Sequence, residues 1–278
     1  MKLKKIRNAL LVVLTLALVS ATAVAVTWAY TEGNFGSAEN TFTNEDIAAE
    51  LTEWEWDGDK STVDSTSTHQ INDKTTSTLG MNIAKSYSPS QTIPKNPSIS
   101  NISDTSENST DDPKEWVAMT VRYYILSGTD KYYFSGYSTF SEALATVHSD
   151  VTSDTGFNTS NWDAKGGSDN TVFYYNSIIN NKAMTATIFD DVIVNSKTAL
   201  DAKKAASGDN AGKYVYTGLK KVSGATVSTD QTFVTATLPE FHIELQGYAV
   251  QADNVDNTTA KTELDKLIAA DPITILLG

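Results

Sequence analysis

Cysteine is absent from the 278 residues. Disulfides, thiolate zinc sites and cysteine nucleophiles are therefore excluded. A chain of this length can bury a core large enough to fold without such staples. Histidine occurs three times, as His69, His148 and His242. No two of them are close, so the peptidase motif of two histidines one helical turn apart with a Glu between is missing. Positive charge is also scarce, with 21 Lys and Arg against 34 Asp and Glu, a formal charge of −13. Four of those 21 fall in the first seven positions, so the chain without its first 29 residues carries 17 bases, 34 acids and a charge of −17. So acidic a surface argues against nucleic acid as a partner, which needs basic patches. Beyond the first 29 residues no apolar run approaches the length that spans a bilayer.

The N-terminus supplies the first positive signal. Met1–Arg7 is basic, Ala9–Val26 is an unbroken run of apolar and small residues, and Thr27-Trp28-Ala29 follows. That order predicts a secretory signal peptide over 1–29, cut between Ala29 and Tyr30. The alternative is an uncleaved anchor, which would be the chain's one link to a membrane.

Residues 30–41 are polar, with Gly33 and Gly36, and read as a flexible arm. From Phe42 a strand is expected, with Ile47, Ala49 and Leu51 on its apolar face. Trp54 and Trp56 come next, then the turn Asp57-Gly58-Asp59. Residues 58–80, 102–114 and 149–170 read as polar loops. Pro89, Pro94 and Pro97 allow Met81–Asn101 an edge strand and forbid a central one. Val117, Met119, Val121 and Tyr123 mark a clear strand. Thr139 and Glu142 suggest a capping box for a helix with Phe140, Ala143, Leu144 and Val147 on one face, which puts His148 at its C-terminus. Val172–Tyr175 and Met184–Phe189 read as a hairpin with Met184, Ala186 and Ile188 inward. A short helix is expected around Ala199–Ala206. Alternation then marks Val234–Leu238 and Phe241–Leu245 as strands. A helix over Thr259–Ala270 presents Leu264, Leu267 and Ile268, and Ile273–Leu277 reads as a final strand. Strands dominate without a strand–helix–strand rhythm. The expected fold is all-β: a jelly-roll-like antiparallel β-sandwich with two or three short inserted helices, over residues 44–278.

Chemistry-bearing groups are sparse. Asp57/Asp59, Asp111/Asp112 and Asp190/Asp191 read as solvated turn acids or Ca²⁺ ligands, and none has EF-hand spacing. His242 and Glu244 share a strand face, as a solvent-facing pair or as two of three metal ligands. Trp54, Trp56, Trp116 and Trp162 read as core or sheet-edge residues, or as a sugar-stacking platform if they share an accessible face. No catalytic constellation, metal-ligand set or cofactor motif emerges, so the expectation is a protein that is not an enzyme and carries no cofactor and no metal.

Four blocks resemble one known family. They are Thr27-Trp28-Ala29 with Asn40–Thr43 and the run through Leu51 to Trp56-Asp57; Gln91–Pro97 with Ile99, Asn101 and Trp116–Tyr123; Phe173–Tyr175 with Thr185–Phe189; and Ile243 through Gly247–Ala252. In order and spread they resemble the TasA/camelysin family of exported Gram-positive proteins. The resemblance implies a jelly-roll domain at the cell surface or in the extracellular matrix, and a signal peptidase of the SipW type as processing partner. It further implies a head-to-tail homopolymer, a biofilm fibre in which the freed N-terminal segment of one subunit pairs as a strand in the next. Other matrix proteins are possible partners. Residues 30–43 are then the candidate donor strand, with Tyr30, Phe35 and Phe42 as anchors. The alternative it carries is a camelysin-like surface metallopeptidase; a non-polymerising surface adhesin or carbohydrate-binding protein is a further alternative.

Overall fold

The computed structural model describes residues 38–41, 47–58, 75–103, 113–150, 154–166 and 171–277. Strands β1 (Ala38–Thr41) and β2 (Ala48–Thr52) lead into a single turn, α1 (Trp54–Asp57). Next come α2 (Gly80–Ala84), β3 (Thr92–Pro94) and β4 (Ser98–Asn101). The long β5 (Glu115–Ser127) turns back into β6 (Asp130–Tyr133), and α3 (Tyr137–Ala143) runs into β7 (Ala145–Ser149). β8 (Asp154–Thr155), β9 (Trp162–Ala164), β10 (Val172–Tyr175) and β11 (Asp191–Val194) follow. After α4 (Lys197–Asp201) come β12 (Tyr214–Ser223), β13 (Thr226–Thr235), β14 (Phe241–Gln251), α5 (Asn257–Ala270) and α6 (Pro272–Leu277).

The strands form three sheets, and every ladder between them is antiparallel: β1-β2-β4, β3-β11-β7-β8, and β13-β12-β6-β5-β10-β9 with β14 along the other side of β5. One core cluster joins their inner faces, drawing Leu51 and Ile99 from the first, Val147 and Val192 from the second, and Val121 and Leu245 from the third. Each such side chain contributes about 1.5–3 kcal/mol on leaving water. The fold is the all-β antiparallel sandwich that the alternating strands predict. No helix among the described residues is long and apolar enough to cross a membrane.

β5 and β14 are the axis of the large sheet, paired from Phe241 opposite Ile125 to Gln251 opposite Glu115. Both are buried on two faces. Val117, Met119, Val121, Tyr123 and Ile125 face the main core. Across the sheet Ala118 and Tyr248 meet Leu264 and Ile268 of α5, and Tyr124 meets Ile273 of α6. Charged groups held under these helices are paired. Arg122 reaches the fully buried Asp271 at 2.7 Å. Glu244 takes Lys131 at 3.3 Å and the Tyr133 hydroxyl at 3.2 Å.

Several sequence expectations change on this scaffold. Leu144–His148 is not helical: α3 ends at Ala143, and His148 lies in β7. The alternation Ala145, Val147, Ser149 is buried in phase, and pairing with β11 outweighs helix continuation. The cap of α3 also differs, since Thr139 Oγ1 accepts from the N–H of Gly136. Val172–Tyr175 pairs with β5 and β9, not with Met184–Phe189. The latter runs irregularly beside β4, where Thr185 N–H donates to Ile99 O and Ile188 N–H to Pro97 O. Ile188 is buried as expected, but Thr185 and Thr187 are buried while Met184 and Ala186 are half-buried; the Thr185 hydroxyl accepts from Ile99 N–H at 2.9 Å. Ile273–Leu277 is helical. The Asp271 carboxylate accepts from the N–H groups of Ile273 and Thr274, and Pro272 takes the first helical position.

Candidate functional site

β2 has both faces buried, with Ala49, Glu50, Leu51 and Thr52 all enclosed. A strand so placed needs neighbours on both edges to satisfy its backbone. β4 supplies one, with Leu51 opposite Ile99. β1 supplies the other, with Ala38 opposite Leu51 and Thr41 opposite Ala48. β1 is thus an outermost strand of its sheet among the described residues, and it belongs to the arm predicted over residues 30–43. The register places Ala38 opposite Leu51, at the end of β2 that leads into α1.

At α1 a groove begins, with a cavity volume of about 750 Å³. Its apolar walls include Trp56, Met81, Tyr87, Ile93, Tyr214 and Phe241, and Lys85, Lys204 and Glu240 add charge. β3 and β14 run along it, and each is an outermost strand among the described residues, β3 paired with β11 and β14 with β5.

The local sequence explains how the walls are held. Lys95 reaches Glu53 at 2.6 Å with both side chains buried, and its ammonium lies 4.5 Å from the Trp56 ring centroid. Asn96 accepts from the N–H of Glu55 at 2.9 Å, tying the Pro94–Pro97 segment to α1. Gly58 ends α1 in the left-handed conformation, φ 87°, which glycine tolerates without a Cβ penalty. Gly80 admits no side chain at all, because a Cβ there would lie 1.8 Å from Pro94 O and 2.7 Å from the Trp56 ring. The Tyr87 hydroxyl donates to Pro239 O at 2.6 Å; burial pushes it above the usual phenol range.

Where β2 begins, a polar chain enters the core. Ala48 N–H donates to Ser103 Oγ at 2.9 Å, and Ser103 Oγ lies 3.0 Å from the Glu115 carboxyl, to which it donates. Glu115 has no exposed surface, and burial pushes its carboxyl up to about 8, against the opposing pull of the Ser103 and Ala48 hydrogen bonds.

Of the residues singled out by sequence, Ala29, Tyr30, Phe35, Phe42, His69, Asp59, Asp111 and Asp112 lie outside the described residues. His242 and Glu244 share a face as expected, but they are buried and not solvent-facing. His242 stacks on Tyr124 at 4.8 Å and pairs with Glu240 at 3.0 Å, while Glu244 is occupied by Lys131 and Tyr133. Trp54, Trp56 and Trp162 are buried and Trp116 is half-buried, so these four form no exposed platform. Sequence reasoning missed the groove, Gly80, Lys95 and Glu115. The pattern Ile-Pro-Lys-Asn-Pro was visible, but its partners lie some forty residues upstream, at Glu53 and Glu55. Compared with known proteins, the chain matches no family model, no curated protein and no solved structure.

Proposed function

We propose that this chain is a secreted structural subunit of extracellular matrix fibres, joined head to tail by exchange of its N-terminal strand. The observation that carries the reading is the position of β1. It belongs to the arm and forms an outermost strand, among the described residues, of a sheet whose next strand, β2, is buried on both faces. An equivalent strand from a neighbour makes the same backbone hydrogen bonds. Because donor and acceptor are different surfaces, the contact does not close on itself and propagates as a filament.

The groove supports the same reading. Ala38 lies opposite Leu51, just before α1 and Trp56, and the apolar walls of the groove suit the aromatic anchors Tyr30 and Phe35 of an incoming arm. Cleavage after Ala29 frees the arm, and the resemblance to the TasA/camelysin family points to the same mode of assembly.

The absence of native cysteine makes a direct test possible. Thr41 and Ala48 are register partners. Chains beginning at Tyr30 and carrying Thr41→Cys are mixed with chains carrying Ala48→Cys and oxidised mildly. A disulfide between the two kinds of chain is the expected product. Filaments that form without that product would refute exchange in this register.

A further inference from the structure

One cluster of ligating side chains lies away from both the arm and the groove. In β7, His148 stands opposite Asp191 of β11, and opposite Thr155 of β8 on its other side. Directly opposed side chains in an antiparallel ladder stand on the same face. Asp150, two residues beyond His148, returns to that side as the strand ends. His148 Nδ1 lies 3.6 Å from an Asp150 carboxylate oxygen and 3.8 Å from one of Asp191. Both distances are too long for hydrogen bonds, and Nδ1 is itself buried without a hydrogen-bond partner. One donor atom from each of the three residues lies within 4.8 Å of the others.

Those spacings have a chemical meaning. Three ligands at metal bonds of about 2.0–2.1 Å in a tetrahedral site sit about 3.4 Å from one another. The two distances from Nδ1 come within a few tenths of an ångström of that edge. The surroundings hold the ligands in place. Asp190 Oδ2 accepts from Asp150 N–H at 2.7 Å, Asp190 Oδ1 accepts from the Thr187 hydroxyl at 2.7 Å, and Asp190 N–H donates to His148 O at 2.7 Å.

The geometry points to a divalent-cation site formed by His148, Asp150 and Asp191, suited to a first-row ion of the Zn²⁺ class, that clamps the end of β7 to β11. An imidazole nitrogen with two carboxylates suits such an ion, whereas Ca²⁺ takes six to eight oxygen ligands. The two carboxylates cancel the charge of the ion. Three protein ligands leave a fourth position for water. Asp150 is mostly exposed, 76% for its side chain, so the site opens to solvent on that side. This inference does not depend on the fibre reading.

The test uses the whole chain from Tyr30, stripped with a chelator and titrated with ZnCl₂ or CaCl₂ alone by calorimetry, with thermal unfolding in parallel. The expected result is one Zn²⁺ per chain with a Kd below about 10 µM, a raised Tm, and Ca²⁺ weaker by about tenfold or more. Asp150→Asn, at an exposed position, should keep the Tm of the stripped protein while weakening Zn²⁺ by about tenfold or more. His148→Ala should abolish the site. No binding at about 1 mM Zn²⁺, Ca²⁺ bound as tightly as Zn²⁺, or an Asp150→Asn variant that binds like the wild type would each overturn the proposal.

Discussion

Replacing Glu115 with Gln tests how the base of β2 is held. The carboxyl has no exposed surface, and burial raises it from 4.5 to about 8. A carboxyl held above its unfolded value binds its proton more tightly in the fold than in the unfolded chain. Its contribution is therefore complete below the unfolded value and declines as pH rises through the folded one. Between those limits stability falls by about 1.4 kcal/mol per pH unit from this group alone, about 5 kcal/mol in all. At pH 7 about 3 kcal/mol is already lost. Gln has the shape of the neutral acid and retains an oxygen to accept from Ser103. Glu115→Gln should match the wild type near pH 4 and exceed it by about 3 kcal/mol at pH 7. Urea unfolding of both chains at several pH values measures the difference directly, free of contributions from other groups. Parallel stability curves for the two chains would refute the reasoning, because they would mean that Glu115 ionises alike in both states.

Gly80→Ala forces a Cβ against Pro94 O and the Trp56 ring, and should cost about 3 kcal/mol in urea unfolding; a change within about 0.5 kcal/mol would contradict the close approach. Arg122→Ala leaves Asp271 buried and without its cation, and should cost about 3–5 kcal/mol, with hydrogen exchange accelerated first in α6. Lys95→Ala strips the partner from buried Glu53 and should cost a similar amount, with Trp56 fluorescence changed in the folded state.

Legibility followed the physics of each segment. β5 and β14 are readable over Val117–Tyr123 and Phe241–Leu245, where apolar residues alternate; the remainder of each strand is not. α5 was readable from Leu264 and Ile268 on one face. β12 is not legible because Gly218, Lys220 and Lys221 interrupt its pattern, and its pairing with β13 is irregular around Leu219. Thr185 and Thr187 read as outward-facing because sequence does not reveal which hydroxyls are buried, as that of Thr185 is by accepting from Ile99 N–H. At Ile273–Leu277 the apolar run suggested a strand, and the Asp-Pro pair before it was the stronger signal. The site residues were harder still. The groove joins segments from Trp56 to Ile243, and the facing of His148 and Asp191 is a property of strand pairing. Sequence marks His148 by itself and Asp191 beside Asp190, and only the ladder brings the two together.

The most direct measurement is electron microscopy of the purified chain beginning at Tyr30, beside the same chain with a blocking N-terminal extension. Donor-strand assembly predicts filaments from the free N-terminus and monomers from the blocked one. Filaments from both, or from neither, would contradict it.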